Sequence, residues 1–292
     1  MADLHVPVMV EAVLEFLLHR LEGLYCDGTT GTAGHSLEII ERLDPAGRLV
    51  CIDQDPVVLE VARERLGEHG GRVHFHRGSF SELDAVLANE SASGFDGVLL
   101  DLGLNSYTLA RPEAGLTYQQ DVPLDMAVDP DVPVNAAEYL LSVSEADLVR
   151  DLREFGDLKR APLYARRIVE TRRDHPLATT RDLVRAVSGT GSGTLGAGEM
   201  ARIFQTIRVV VLDEMPRLET FLERAADWIV PGGRVVFLTY ASHEDRRVKH
   251  SLGQKGGAFV PLQKKPIAPS YREVAKNRRA RSAKLRAYER KG

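Results

Sequence analysis

Short apolar segments alternate with helical patterns between residues 24 and 102, and this alternation restricts the possible folds more than any other feature. Strands and helices that alternate at this spacing form βαβ units with right-handed crossovers and a parallel sheet. The fold class is therefore predicted to be α/β. The predicted strands are 24–26, 48–52, 73–76 and 96–102, and the predicted helices are 34–43, 56–66 and a short one from about 81.

An aspartate stands at the end of three of these strands. Asp27 follows the first strand, Asp53 follows the second, and Asp101 lies near the end of the fourth. Parallel sheets bind their ligands outside the carboxyl ends of the strands. We therefore expect three separate strands to direct carboxylates into one crevice.

A glycine-rich turn, DGTTGTAG, follows the first strand. Gly28, Gly31 and Gly34 are spaced by three, unlike the G-x-G-x-x-G pattern that brings backbone close to a pyrophosphate. S-adenosylmethionine (AdoMet) has no phosphate, and its sulfonium and ammonium groups suit carboxylates such as Asp27. Asp53, which lies 26 residues after Asp27, is placed to accept both ribose hydroxyls. These residues favour AdoMet and leave a nucleotide cofactor as the alternative.

The alternation ends near residue 105, and loops and helical patterns follow until about residue 200. This change predicts a helical insertion at 105–200 within a discontinuous sheet domain formed by 1–104 and 201–292. The Gly/Ser stretch 188–198 lacks the Lys-Ser/Thr end of a phosphate loop and is predicted to be a mobile connector.

Charge is unevenly distributed. The chain has a net charge of −4, yet residues 246–292 contain 15 Lys/Arg and 2 Asp/Glu, a local balance of +13. A basic C-terminal arm on an acidic body is typical of nucleic-acid binding. A solvated, partly disordered tail is the alternative, and composition does not choose between the two.

No stretch approaches the roughly 20 apolar residues of a membrane span, and the first residues lack a basic leader. We therefore expect a soluble cytoplasmic protein with no membrane partner.

Two cysteines and two histidines bear on the chemistry. Cys26 and Cys51 are too few for a disulfide framework and lie in predicted strands, where thiols are buried. Methylation of a pyrimidine ring carbon usually requires a reactive thiolate. A base methyltransferase with this sequence is therefore expected to act on nitrogen or oxygen by direct in-line transfer. His74 and His76 have no ligand partner at metal-binding spacing, so no metal is expected.

Longer motifs occur along nearly the whole chain: HVPVMVEAVLEFL, DGTTGTAGHS, CIDQDP, RGSFSEL, LLDLGLNS, GLTYQQDVPLDMAVDP, IFQTIRVVVLDE, VPGGRVVFLTY, SHEDRRVK and NRRARSAKLR. Together they resemble the bacterial small-subunit ribosomal RNA (cytosine-N4) methyltransferase family, also called MraW. The resemblance implies a Rossmann-like AdoMet-dependent methyltransferase sheet with an inserted helical substrate-recognition domain. It also implies methylation of the exocyclic N4 of a cytosine in the decoding region of 16S rRNA.

That resemblance further implies a partner and a set of cofactor contacts. The partner is ribosomal RNA or the small ribosomal subunit, and both a monomer and a homodimer are compatible with the sequence. Phe80 could lie against an adenine face or belong to the core beneath a helix. The implied AdoMet contacts are Ala33, Gly34, His35, Asp53, Phe80 and Asp101, with Thr108 at the position of a family glutamine.

Substrate contacts are carried over in the same way. Asn105 and Ser106 are candidates for holding the target amine, with the shaping of a turn as the alternative. Asp125 and Arg208 could support the base pocket or clamp a phosphate, or could form a buried ion pair between insertion and sheet. The candidates for the RNA backbone are Arg281, Lys284 and Arg286, whose contacts with phosphates would make binding dependent on salt.

The chain departs from the family pattern near the expected substrate side. Asn105 replaces a serine, Thr108 replaces the glutamine, and Thr239-Tyr240-Ala241-Ser242 lacks a family histidine. Two further functions therefore stay open: a paralogue that methylates another RNA or DNA base, and a non-catalytic AdoMet- or RNA-binding factor in ribosome assembly.

Overall fold

The computed structural model describes residues 7–129, 131–189, 195–254 and 256–292. Within these ranges the strands are β1 (Leu24–Asp27), β2 (Arg48–Asp53), β3 (Val73–Arg77), β4 (Phe95–Asp101), β5 (Ile229–Thr239), β6 (Phe259–Pro261) and β7 (Lys284–Arg290). The helices are α1 (Val10–Leu17), α2 (Gly34–Arg42), α3 (Pro56–Leu66), α4 (Leu83–Asn89), α5 (Ser106–Ala110), α6 (Ala136–Ser142), α7 (Glu145–Glu154), α8 (Ala161–Asp174), α9 (Thr180–Ser188), α10 (Ala197–Val211), α11 (Glu214–Trp228), α12 (Ser242–Leu252) and α13 (Tyr271–Lys276).

The seven strands form one sheet in the order β3-β2-β1-β4-β5-β7-β6. Neighbours from β3 through β5 are parallel, whereas β7 runs antiparallel to both β5 and β6. This arrangement confirms the predicted α/β class. The order reverses on either side of β1, and such a reversal places a ligand crevice at the carboxyl ends of the central strands.

Local sequence explains why the first half matches the prediction closely. All four residues of β1 are buried, as expected for a central strand covered on both faces. Helix α3 begins at Pro56, and the carboxylate of Asp55 accepts a hydrogen bond from the Val57 N–H at 3.0 Å. The proline needs no hydrogen-bond acceptor, and the capping aspartate accepts one of the free N–H groups of the first turn. Local residues therefore define the start of the helix without tertiary contacts.

Side chains of the sheet divide between two apolar layers. Along β5, Val236 and Leu238 pack in the cluster that α1 and α2 cover. Phe237 points to the opposite face, where its ring centroid lies 5.9 Å from that of Phe221. Alternation with a period of two is what lets one strand serve both layers.

Two compact units are present, one formed by Met1–Asn105 with Pro216–Gly292 and the other by Ser106–Met215. The second unit is helical, and its helices start at strong caps, including capping boxes at Asn135 and Thr179. The expected insertion ended at 200, whereas α10 also belongs to this unit. Residues 190–194, within the predicted mobile connector, lie outside the described residues.

The basic segment from about residue 246 is not an arm. Most of α12 and all of β6, α13 and β7 lie in it, and β7 is inserted between β5 and β6. Leu285 and Ala287 of β7 are buried, which ties the segment to the sheet core. Both the prediction of an arm and its alternative, a partly disordered tail, are therefore wrong, because apolar residues alternate with the charged ones.

Every helix in the described ranges is too short or too polar to span a membrane.

Candidate functional site

Three aspartates lie at one edge of the sheet. Asp27, Asp53 and Asp101 are the last residues of β1, β2 and β4, respectively. In the sheet these strands are neighbours in the order β2-β1-β4, and all run in the same direction. Neighbouring strands lie roughly 4.8 Å apart, so the three side chains share one rim, as the strand pattern predicts.

Asp27 is the most enclosed of the three. It is 1% exposed. One carboxylate oxygen accepts a hydrogen bond from the Ser36 hydroxyl at 2.6 Å, and the other accepts from the Thr29 N–H at 3.2 Å. Burial raises the pKa of Asp27 above its ordinary value. This carboxylate therefore fixes the turn after β1 to the start of α2.

Asp53 forms the open part of the rim. Its side chain accepts hydrogen bonds from the Gly31 N–H at 2.8 Å and from the Asp55 N–H at 3.0 Å. The residue is only partly buried, yet desolvation raises its pKa to about 6. Because each oxygen has taken one backbone donor, each keeps a lone pair for a ligand hydroxyl.

Glycines let the turn pass close to β4. A Cβ at Gly28 would lie 2.5 Å from Cδ2 of Leu100 and 3.0 Å from Cβ of Phe80. Gly31 has a φ of +51°, a conformation that side chains disfavour. The spacing of three thus serves close packing and a left-handed turn, and the same turn directs a backbone N–H at Asp53.

Helix α2 starts at the same rim. Ala33, its N-cap, is buried and has a positive φ of 61°. The His35 Nε2–H donates to the Val8 carbonyl at 2.8 Å, and His35 Nδ1 lies 3.6 Å from Oδ2 of Asp101. A Cβ at Gly34 would lie 3.2 Å from Cβ of Pro7. Thus His35 spans from the segment before α1 to the third acid.

Asp101 is held by a residue that sequence reasoning did not select. The Tyr240 hydroxyl donates a hydrogen bond to Oδ1 of Asp101 at 2.8 Å. Burial raises the pKa of Tyr240, so its hydroxyl stays protonated and acts as a donor. Tyr240 was noted only as a departure from a family motif. It follows the strand next to β4, and the strand-end rule used for the aspartates could have found it.

Phe80 occupies a packing position. It is 7% exposed, and its ring meets that of Phe221 edge to face with centroids 6.1 Å apart. These contacts match the core interpretation, and contact with an adenine stays a prediction.

The two candidates for holding the target amine differ in position. Asn105 closes the first unit, and its amide nitrogen would lie 3.2 Å from a Cβ placed on Gly31. It therefore stands beside the turn that binds Asp53. Ser106 is the first residue of α5 in the second unit, and Thr108 is buried in the same helix.

Asp125 and Arg208 both have partners within the second unit. Asp125 accepts a hydrogen bond from the Ala127 N–H at 3.2 Å, which stabilises a local turn. Arg208 forms a bidentate ion pair with Glu214 at 2.7 and 3.0 Å, largely shielded from solvent. The pair that Arg208 forms with Glu214 lies within the helical unit. Support of a base pocket and contact with a phosphate stay predictions for Asp125 and Arg208.

Two of the three cations proposed for RNA are paired with an acid. Arg286 donates two hydrogen bonds to Asp245 at 2.6 and 3.2 Å, and Lys284 lies 3.4 Å from the same carboxylate. Arg281 lies outside β7 and is exposed. Lys284 and Arg286 meet an acid because of their positions in β7. A count of charges does not contain this information.

The thiols are unsuited to nucleophilic chemistry. Cys26 and Cys51 are fully buried, and desolvation raises the pKa of both. His74 and His76 do have a carboxylate partner, since they lie 2.7 and 3.4 Å from the oxygens of Glu90. Among the residues described, however, no group of three or more His, Cys, Asp or Glu is arranged to hold a metal ion.

Comparison with known proteins agrees with this architecture. A sequence family described as the MraW methylase family matches residues 2–291. Ribosomal RNA small subunit methyltransferase H from Geobacter sulfurreducens is 40% identical over 305 residues, which cover 98% of this chain and 98% of that protein. The protein of the same name from Nitratidesulfovibrio vulgaris is 38% identical over 311 residues, covering 99% of this chain and 86% of that protein.

Among solved structures, an rRNA methylase from Streptococcus thermophilus aligns with 97% of this chain and 94% of its own, at 11% identity and a TM-score of 0.42. That similarity is too low to bear on function. The family match spans nearly every residue, including the acids and the glycine turn of the rim. This chain belongs to the MraW methylase family.

Proposed function

We propose that this chain uses AdoMet to methylate the exocyclic N4 of a cytosine in the decoding region of small-subunit ribosomal RNA. The observation that carries the proposal is the rim of Asp27, Asp53 and Asp101 at the carboxyl ends of three parallel strands. The names of the relatives, which act on small-subunit ribosomal RNA, supply the substrate class.

The side chains present at the rim suit AdoMet. Asp53 and Asp101 are partly exposed carboxylates, and a ligand with a ribose diol and two cationic groups needs acceptors of this kind. The turn at Gly31 lacks the glycine spacing that a pyrophosphate requires. When bound, AdoMet supplies an electrophilic methyl group.

Each acid has its own role in this proposal. Asp53 accepts hydrogen bonds from the ribose hydroxyls with the lone pairs that Gly31 and Asp55 leave unused. Asp101 faces the cationic part of the donor, oriented by Tyr240 and flanked by His35. Asp27 acts indirectly, because its oxygens already hold Ser36 and Thr29.

Asn105 is proposed to receive the target base. The exocyclic amine of cytosine is a weak nucleophile, so the base must be flipped out of its stack and aligned with the methyl group. The side-chain oxygen of Asn105 suits an amine N–H, and the residue stands beside Gly31. Buried thiols at Cys26 and Cys51 are consistent with transfer to nitrogen, which needs no covalent adduct.

We further propose that the helical unit Ser106–Met215 recognises the RNA, and that the protein works in the cytoplasm. Whether one chain or a homodimer acts is left to measurement of mass in solution.

The decisive experiment uses small ribosomal subunits from cells that lack this chain. They are incubated with the purified protein and isotopically labelled AdoMet, and the nucleosides are analysed by mass spectrometry. The expected product is N4-methylcytidine within the decoding region. Label in another nucleoside or another region would contradict the proposed specificity.

A matched pair of variants tests whether labelling depends on the rim. Asp53→Asn should reduce labelling at AdoMet concentrations below saturation, whereas Glu60→Gln, which removes an exposed acid of α3, should label like the parent. Calorimetry with AdoMet tests the non-catalytic alternative. Binding of AdoMet without any labelled nucleoside would favour an assembly factor over an enzyme.

A further inference from the structure

One exposed surface of the first unit combines an aromatic ring with cations. Tyr271, the first residue of α13, is 89% exposed, the highest value among the large apolar side chains described. The exposed cations of α13 and the turn after it are Arg272, Lys276, Arg278, Arg279 and Arg281. We call these six residues the α13 platform.

Local sequence makes the platform strongly positive. Residues 262–283 contain seven Lys/Arg and one acid, Glu273. That acid is already engaged, because its carboxylate accepts the Met9 N–H. With seven cations and one acid, the segment has a local balance of +6.

Pairing distinguishes the platform from the other C-terminal cations. Arg286 and Lys284 share Asp245, and Arg247 lies 2.7 Å from Glu219. By contrast, none of the five platform cations forms an ion pair with an acid within the described part of the chain. They are therefore available to an external anion without first breaking an internal contact.

The platform is also well anchored. Ser270 caps α13 by accepting the Glu273 N–H at 3.2 Å, and Asn277 accepts the Arg279 N–H at 3.1 Å. Ala280, between the arginines, is fully buried. Because the backbone is fixed at three points, binding has to order only the exposed side chains and not the main chain.

An apolar groove of about 510 Å³ borders the platform, between α1 and the segment 267–277. Arg272 and Lys276 line it together with apolar residues such as Ile267 and Pro269. Glu273 stands on the same wall, where its carboxylate accepts the Met9 N–H. A cationic edge beside an apolar wall is the combination that binds nucleotides of an unpaired strand.

We propose that the α13 platform binds a single-stranded segment of the RNA substrate, with one base stacked on Tyr271 and phosphates held by the neighbouring arginines. The inference rests on the proposed RNA substrate. It assigns phosphate contact to the platform cations, which have no acid partner among the described residues, instead of to Lys284 and Arg286. Anionic membrane is the weaker fit, because a membrane-surface helix needs a broad apolar face and α13 has six residues with one exposed aromatic.

The test measures binding of a fluorescein-labelled 16-nucleotide poly(U) by fluorescence anisotropy, with the full chain, between about 50 and 300 mM salt. Each phosphate contact with single-stranded nucleic acid contributes about 0.7 to the slope of log K against log salt. Arg278→Gln with Arg281→Gln should therefore reduce the slope by about 1.4 and weaken binding about 25-fold near 0.1 M salt. The matched control, Arg246→Gln with Lys249→Gln, removes two exposed charges of α12 and should change neither value.

The aromatic contact has its own readout. Tyr271→Ala should weaken binding by about fivefold or more with no change in salt slope, because stacking is not ionic. Tyr271→Phe keeps the ring and should restore the parent affinity. Since all these side chains are exposed, the variants are expected to melt at the parent temperature, which is checked by circular dichroism.

Three outcomes would overturn the inference. One is unchanged RNA affinity in the arginine and Tyr271→Ala variants. Another is equal loss in the α12 control. The third is that the platform variants lose binding to phosphatidylserine vesicles but still bind RNA like the parent, which would identify a membrane surface as the ligand. If the same variants still methylate N4, the α13 platform proposal fails and the proposed function stands. If the parent chain methylates no RNA, the proposed function itself is wrong.

Discussion

The affinity for AdoMet should depend on pH through Asp53. Its pKa is raised to about 6 by desolvation, so the carboxylate gains its charge within an accessible range. Only the ionised form offers acceptors to both ribose hydroxyls. Affinity is therefore expected to rise with pH and to level off above about pH 7.

The size of the effect follows from the ionised fraction. With a pKa of about 6, that fraction is roughly one tenth at pH 5 and roughly nine tenths at pH 7. The dissociation constant should therefore fall about tenfold over this interval, which corresponds to about 1.4 kcal/mol. Loss of one hydrogen bond to a charged group gives a comparable figure, about 1.5–3 kcal/mol.

The assay is isothermal titration calorimetry at about pH 5, 6 and 7, with AdoMet and with S-adenosylhomocysteine. The second ligand keeps the ribose and lacks the sulfonium charge, so it should show the same midpoint if Asp53 is responsible. Asp53→Asn should bind more weakly at all three values and lose the pH dependence.

Stability of the ligand-free chain should change in the opposite direction. The pKa of Asp53 in the folded chain lies above its ordinary value of 3.8, so the folded state holds the proton more tightly than the unfolded state. The free energy of unfolding contributed by this group is then largest below about pH 4 and is lost as pH rises through about 6. Melting of the parent and of Asp53→Asn across this range measures the difference.

The reasoning would be refuted by an affinity for AdoMet that is constant between pH 5 and 7. It would also fail if Asp53→Asn kept the parent pH dependence, because another group, such as buried Asp27, would then be titrating.

Three further predictions test contacts at and near the rim. Tyr240→Phe removes the donor to Asp101 and should weaken AdoMet binding about fivefold to tenfold by calorimetry, consistent with about 1–1.5 kcal/mol for one hydrogen bond; an unchanged dissociation constant would contradict its positioning role. Asp245→Ala leaves Arg286, whose side chain is 12% exposed, without its acid, and should lower the free energy of unfolding by about 2–4 kcal/mol in urea titration. Gly97→Ala places a Cβ 2.6 Å from a buried tyrosine ring and should cost about 1–3 kcal/mol in the same assay, whereas no loss would mean that the ring has room to move.

Much of the sheet could be predicted because its signals are local. Pro56 after Asp55 marks the start of α3, and the observed helix ends at Leu66 as expected. Apolar runs fix β1 to β4 in the same way, and an aspartate at a strand end points to a crevice without knowledge of any partner strand.

The C-terminal segment could not be predicted because its structure depends on distant partners. Lys284 and Arg286 alternate with apolar residues in β7, but only pairing with β5 brings them against Asp245. Tyr240 is a similar case, since its hydroxyl meets Asp101 across 139 residues of sequence. Charge counts and motif spacing carry no information on contacts of this range.

The strand-end acids show why position in a fold matters more than residue type. Asp27 and Asp53 end adjacent strands, and burial raises the pKa of both. The Asp27 carboxylate is nevertheless buried and accepts hydrogen bonds from the Ser36 hydroxyl and the Thr29 N–H. Asp53 stays partly exposed, and its donors are backbone N–H groups. Asp27 therefore stabilises the turn that contains Gly31. The N–H of Gly31 in turn orients the Asp53 carboxylate, which stays partly exposed to a ligand. Removing either carboxylate should impair the site, because the loss of Asp27 leaves Ser36 and Thr29 without their acceptor and the loss of Asp53 does the same to the Gly31 N–H.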